Sequence, residues 1–276
     1  MPVIALVSAK SCGVTCSALA LTLASPRPSV LVEADPSGGT VRLGYLAGAG
    51  SATVGLFALA SADRQGTLAS EFPQHLVALD RDRSGTRLLL PGLTDPAQAP
   101  ALSRTWERLA TLLQVMDGAG HDVIIDAGRM SADSQGQPDS GTHPAVLLRR
   151  ADIVLLVVRN TQVSLGTALP AVRALHEDFA HLGTGADALH LLVIEEGTIA
   201  SGHVAQVLQT PVAAALSWDP DTAAVLTHGV PRKSARVLLR SARTAHGRIG
   251  EIVGRRRVQL YPDGHLPHAF DDRRTA

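Results

Sequence analysis

A chain of 276 residues (28.8 kDa), 45% hydrophobic and 18% charged, can bury a sizeable core and falls outside the disordered class. Its 25 Lys+Arg balance 25 Asp+Glu, so global positive charge is excluded as the force that would bring it to nucleic acid or an anionic membrane. The two cysteines, Cys12 and Cys16, form no disulfide framework and imply a reducing compartment.

Short apolar runs alternate with Ala/Leu-rich helical patterns along the chain. Val3–Val7 reads as a buried strand and Val14–Ala24 as a helix. Val30–Glu33 is a second strand, and Ala52–Ala60 reads as helical. Leu76–Leu79 and Leu88–Leu90 are strand-like, joined by a polar turn over Asp80–Gly85. Pro96–Met116 reads as one helix, with Leu102, Trp106, Leu109 and Leu113 at helical spacing. Val123–Ile125 is a strand bounded by acids. Ile153–Val158 is a continuous apolar run of the kind buried on both faces. Then follow a helix over Val163–Phe179, a strand over Leu189–Ile194 and a short helix over His203–Leu208. Val212–Leu216 is the last strand, and helices over Asp219–His228 and Ser234–Val253 close the pattern. Strands alternating with helices predict βαβ units, and so a doubly wound α/β fold with a mostly parallel sheet.

One domain over residues 1–254 and a tail over 255–276 is the simplest division. Met130–His143, rich in Ser, Asp, Gln, Gly and Pro, reads as the least ordered internal stretch. The apolar run at Val3–Val7 is too short for a signal peptide, and no stretch reaches the roughly 20 apolar residues of a membrane span. A cytoplasmic protein is expected. The eleven His residues show no metal-ligand spacing with each other or with Cys, and no G-x-S-x-G elbow is present.

Three short motifs carry chemistry. The first strand runs into Ser8-Ala9-Lys10-Ser11-Cys12-Gly13-Val14-Thr15-Cys16-Ser17 and then a helix. A small-residue loop opening a helix offers backbone N–H groups to an anion. On this stretch alone an ordinary strand-to-helix turn is equally compatible, because the strict G-x-x-x-x-G-K-[ST] pattern is absent. Lys is otherwise found only at Lys233, which makes Lys10 conspicuous. The second motif is Glu33-Ala34-Asp35-Pro36-Ser37-Gly38-Gly39, two acids at the C-terminal end of a strand, the edge where open α/β sheets bind ligands. The third is Asp122-Val123-Ile124-Ile125-Asp126-Ala127-Gly128, an apolar strand ending in an Asp placed to hold Mg²⁺.

In this order and spacing the three motifs resemble the MinD/ParA family of deviant-Walker P-loop ATPases, over roughly residues 1–245. That family's loop reads K-G-G-V-G-K-[ST]. The resemblance places Lys10 as the signature Lys, with Ser11, Gly13, Val14, Thr15 and Cys16 around phosphate and Thr15 as the Mg²⁺ hydroxyl. It places Glu33 and Asp35 in switch I, Glu33 near the metal and Asp35 orienting the attacking water, and Asp126 as the Walker-B acid. Pro211 and Asp219 would flank the purine, and Gly229-Val230-Pro231 matches a G-x-P that follows. The implied cofactors are ATP or ADP and Mg²⁺. The implied partners are a second copy of the chain, whose nucleotide Lys10 would reach, and a protein of a pilus or secretion, septum or partition machine, with DNA or membrane contact as further family behaviours.

The departures imply reduced chemistry. Val14 replaces the phosphate-cradling Lys, so the chain would be at most a weak ATPase. Ile194-Glu195-Glu196-Gly197 replaces the family's base-reading Asn. A degenerate loop of this kind resembles the CpaE/TadZ-like subgroup. The helix over Ser234–Val253 has Leu238, Ala242, Ala245, Ile249, Ile252 and Val253 at helical spacing. It is compatible with docking on the sheet or with lying on a membrane, at whose inner face the protein would then be peripheral. Arg255-Arg256-Arg257 is either a solvated helix end or a phosphate contact. A helix N-terminus can activate a thiol, so Cys12 and Cys16 admit a redox role as well as plain packing.

Overall fold

The computed structural model describes residues 2–49, 51, 53–80, 84–130, 143–229 and 236–260. In chain order the strands are β1 (Val3–Ser8), β2 (Ser29–Glu33), β3 (Val77–Ala78), β4 (Arg87–Leu90), β5 (Asp122–Arg129), β6 (Ile153–Arg159), β7 (Leu189–Glu195) and β8 (Val212–Ser217). The helices are α1 (Val14–Ala24), α2 (Leu56–Gln65), α3 (Leu68–Glu71), α4 (Thr105–Gly118), α5 (Ala145–Arg150), α6 (Gln162–Leu182), α7 (Ser201–Leu208), α8 (Pro220–His228) and α9 (Val237–Leu260). The strands form one sheet in the order β3-β4-β2-β5-β1-β6-β7-β8, antiparallel only at β3–β4.

The apolar runs predict this sheet well because both of its faces are covered. On β1, Val3, Ala5 and Val7 enter one core, and Ile4 and Leu6 the other. The alternation follows from the period-two pleat. Trp106, Leu147, Leu165 and Phe179 line the first core. Leu19, Leu226, Leu238 and Ile249 line the second. The sheet is thus sandwiched between two helical layers, with α1, α8 and α9 on one side.

Some elements differ from expectation for local reasons. The helix expected from Ala52 starts at Leu56, since Gly55 adopts φ 122° and the Leu56 N–H bonds Pro91 O at 3.0 Å. The helix expected over Pro96–Met116 is two pieces. Pro96–Leu102 is a 3₁₀ segment, capped by Asp95 with Gln98, and α4 begins at Thr105. Pro100 has no N–H to continue the first piece as an α-helix. The sequence pattern passed over α3 and α5, which are only four and six residues long. The stretch expected to be least ordered lies, from 131 to 142, outside the described residues, as do 230–235 and 261–276.

The end of α9 corrects the picture of a free arginine run. The helix passes unbroken through the boundary expected at residue 254. Arg256 is buried, donating to Asp187 Oδ2 at 2.9 Å and to the carbonyls of Asp152 and Thr184. Arg257 pairs with Asp152 Oδ2 at 2.6 Å and Asp117 Oδ2 at 2.7 Å. Burial opposes its charge, but Asp152 and Asp117 more than offset that, so the guanidinium is held above its ordinary value. Arg257→Ala would take the guanidinium away from the Asp117 and Asp152 carboxylates beside the sheet. We expect it to cost about 2–4 kcal/mol, read as a lowered urea midpoint at pH 7. An unchanged midpoint would show that the pairing is idle.

Candidate nucleotide site

Ser8, Glu33, Asp126, Arg159, Glu195 and Ser217 all lie at or near the C-terminal ends of parallel strands, on one edge of the sheet. The order reverses between β1 and β6, where a crevice forms in folds of this kind. The loop after β1 enters α1 through Gly13, whose φ of 92° is the left-handed conformation that favours glycine. Lys10 and Ser11 are exposed at the rim of this loop, and Cys12 and Val14 are buried.

The three motifs meet here. The Thr15 hydroxyl lies close enough to the Asp126 carboxylate to lower its pKa, and that carboxylate accepts the Gly128 N–H at 2.9 Å. Gly128 has φ 66°, and a Cβ there would fall 2.1 Å from the Asp35 carboxyl carbon. Asp35 therefore sits directly over the turn that follows Asp126, and its Oδ1 accepts the N–H of Ser37 at 2.8 Å. Burial pushes the Asp126 carboxyl up to about 7; Thr15 pulls the other way, and the nearby charges of Asp35 and Glu33 add to the rise.

Glu33 lies opposite Asp126 in the β2–β5 pairing, but its carboxylate is engaged by backbone donors. Its Oε1 accepts the N–H groups of Thr40 and Val41, both at 2.8 Å, and its Oε2 accepts that of Gly92 at 3.2 Å. Gly39 and Gly92 pack so closely around it that a Cβ on either would lie 2.8 Å from the other's Cα. Glu33 is thus the anchor of the loop that carries Asp35. Burial raises its pKa despite these three donors.

Of the two expected purine-side residues, Pro211 is displaced and Asp219 stays on the loop's edge of the sheet. Pro211 precedes β8 and stands at the opposite edge of the sheet, one strand length (roughly 20 Å) from the loop. Pro220, the first residue of α8, is the proline on the correct edge. Asp219 caps α8 by accepting the Thr222 N–H at 3.0 Å and the Thr222 hydroxyl, and it also accepts the N–H of Leu238 at 3.2 Å. Cys16 is no activated thiol, because burial, aided by Asp219, pushes it up to about 11.

Residues the sequence reading passed over complete this edge. Asn160 donates to the carbonyls of Gly197 and Ile199, both at 3.0 Å, and accepts the Gly197 N–H at 2.5 Å, clamping the loop after β7. Arg159 pairs with Glu196 Oε2 at 2.9 Å and lies 5.2 Å from the ring centroid of Trp218. Applied to arginines as it was to acids, the strand-end rule would have found Arg159.

Among the described residues no group of three or more His, Cys, Asp or Glu could by itself hold a metal. The fit to Mg²⁺ rests on two neighbours, the Thr15 hydroxyl and the Asp126 carboxylate. Asp126 is buried, and the charges that bear on it, those of Asp35 and Glu33, are negative, an arrangement that a divalent cation would relieve. The fit to phosphate rests on backbone N–H groups at the start of α1 and on Lys10. Val14 supplies no charge.

A loop of this construction, leading from a central strand to a helix whose Thr meets an Asp at the end of the neighbouring strand, within this strand order, defines the P-loop NTPase class of α/β folds. No family model and no curated protein matches the sequence. The fold is that of the MinD/ParA ATPases. It is similar to a ParA family ATPase from Chlorobium tepidum (TM-score 0.66, 17% identity, covering 89% of this chain and 98% of the other). It is also similar to the septum site-determining protein MinD of Pyrococcus horikoshii, solved with Mg-ADP (TM-score 0.67, 16% identity, 92% and 98% covered). MinD of Aquifex aeolicus, in a MinC:MinD complex, aligns with TM-score 0.60 and 15% identity over 90% of this chain and 96% of the other. Among the described residues no helix is long and apolar enough to cross a membrane.

Proposed function

We propose that this chain is a MinD/ParA-like spatial regulator. It binds ATP or ADP with Mg²⁺, hydrolyses ATP slowly or not at all, and recruits a larger machine of the pilus or secretion, septum or partition kind. The observation that carries this reading is the convergence of Thr15, Asp126, Gly128 and Asp35 at one point beside the loop. Thr15 and Asp126 would hold the metal, Lys10 and the amides around Gly13 would meet phosphate, and Asp35 would face the water. Lys10, exposed on the rim, suits the family's contact with a partner's nucleotide, so a homodimer belongs to the proposal. The Mg-ADP bound to MinD and the MinC:MinD complex support the choice of ligand and of a protein partner. The protein acts in the cytoplasm, or peripherally at the inner face of the membrane.

Titration of the purified protein with a fluorescent ATP analogue, with and without Mg²⁺, tests the reading. Saturable, Mg²⁺-dependent binding in the micromolar range is the expected outcome, and absence of binding at millimolar nucleotide overturns it.

A second reading, a scaffold that binds a protein partner without nucleotide, is favoured by Val14, whose side chain is 5% exposed and packs in the second core. Val14→Lys separates the two. The new Lys forfeits about 1–2 kcal/mol of burial in the free protein. If the pocket is intact, ATP should raise the variant's melting temperature more than the wild type's. An equal or smaller shift favours the scaffold. A DNA-binding reading loses support, since Arg256 and Arg257 are engaged by carboxylates. A membrane-lying α9 loses it too, since Leu238, Ala242, Ala245, Ile249 and Val253 are buried.

A further inference from the structure

The cluster of Arg159, Glu196 and Trp218 spans the C-terminal ends of three strands. Arg159 closes β6, Glu196 follows β7 and Trp218 follows β8. To lie over Trp218, Arg159 must cross the end of β7, where Glu196 meets it at 2.9 Å. Trp218 keeps 43% of its surface exposed. An exposed indole backed by a guanidinium is a platform for a planar ring.

The platform is joined to the phosphate loop. The Arg159 N–H donates to Ser164 Oγ at 2.9 Å, and that oxygen lies 3.7 Å from Cys12 Sγ within the loop. On the other side, Asp219 follows Trp218 and is close enough to Cys16 to bear on its thiol. Loop and platform are thus neighbours on one edge of the sheet, as the phosphate tail and the ring of a single nucleotide would require.

The polar groups beside the ring are largely engaged. Glu196 is paired with Arg159 through Nη1, and Asn160 is consumed by the loop it clamps. Arg159 Nε, buried and without a partner, can only donate, and both purines carry the same ring acceptors at N3 and N7. Telling adenine from guanine needs a donor and an acceptor aimed at the edge where the two differ, whereas stacking accepts any base.

We infer that Trp218, backed by Arg159, stacks the base of the bound nucleotide and that the site takes purine nucleotides with little discrimination between adenine and guanine. This rests on the nucleotide-binding reading above. Of the two tryptophans, Trp106 is buried in the first core and Trp218 is exposed, so quenching of the intrinsic fluorescence reports the platform.

The test is calorimetric and fluorescence titration of the whole chain with Mg·ATP, Mg·GTP and Mg·tripolyphosphate. ATP and GTP should bind within about threefold of each other and both quench, while tripolyphosphate binds without quenching. Trp218→Ala should weaken both nucleotides about tenfold, the loss of one stacked ring, and leave tripolyphosphate unchanged. Trp218→Phe should restore most of the affinity, which a merely structural role would not require. A preference of thirtyfold or more for one purine overturns the inference and leaves nucleotide binding intact. So does equal nucleotide affinity in wild type and Trp218→Ala. If none of the three ligands binds, the proposed function falls and this inference with it.

Discussion

Replacing Asp126 by Asn is expected to make the metal-free protein more stable above neutral pH and to remove the Mg²⁺ dependence of nucleotide binding. The carboxyl sits near 7 in the fold, against an ordinary 3.8. Between about pH 4 and 7 the folded chain therefore holds a proton that the unfolded chain has released. Stability falls as pH rises through that window. At about 1.4 kcal/mol per pH unit, the ionised group costs the fold about 4 kcal/mol by pH 8. Asn keeps the size of the side chain and carries no charge to bury, so the variant escapes that cost. Mg²⁺ should raise the melting temperature of the wild type at pH 8 and leave Asp126→Asn where it was. Denaturation at pH 5 and pH 8, each with and without Mg²⁺, reads both effects. Parallel pH profiles for the two proteins would dismiss Asp126 as a strained acid awaiting a cation.

The site was legible in the sequence to the extent that it lay on strand ends. Asp35 and Asp126 could be placed because apolar runs with β-branched residues lead to each of them, and the C-terminal edge of a parallel sheet collects such residues. Thr15 was placed only through the family resemblance, which aligned it with the hydroxyl of the loop motif. Glu33 looked equivalent to Asp35, two residues away. What separates them is the return of Thr40, Val41 and Gly92 onto Glu33, and Gly92 lies 59 residues further along the chain. No local pattern encodes that closure. Pro211 failed differently: a motif was aligned to the wrong end of a strand, and a strand of six residues is enough to move a side chain across the molecule. The fold itself was legible because the two cores read the same runs at period two. The 3₁₀ break at Pro100 and the late start of α2 were not, since each depends on a proline or glycine whose consequence is set by its neighbours.

Asp122→Ala is expected to destabilise the protein by about 3–5 kcal/mol, the scale for removing one member of a buried charge cluster. Asp122 opens β5 at the edge away from the candidate site, and its side chain is fully buried. It accepts from Ser25 Oγ at 2.7 Å and from Arg27 Nη2 at 2.7 Å, and His246 Nε2 of α9 lies 3.2 Å away. One carboxylate thus ties α1, β5 and α9 together. Burial alone would raise its pKa. His246, Arg27 and Ser25 outweigh that and hold it at about 2. The sign is opposite to that of Asp126. The Asp122 contribution is complete above about pH 4 and is lost as pH falls toward 2, with about 2 kcal/mol at stake in that window. Urea unfolding at pH 7 should show the full loss for Asp122→Ala, and a smaller one for Asp122→Asn, which keeps an acceptor for Ser25. By pH 2 the gap between wild type and Asp122→Asn should narrow. If Asp122→Ala does not fold, Arg27→Ala provides the check, since Arg27 is partly exposed and its removal leaves Ser25 and His246 in place. Because the cluster lies at the far edge of the sheet, Arg27→Ala should leave nucleotide affinity unchanged while lowering the urea midpoint. A loss of both together would mean that α9 couples the two edges.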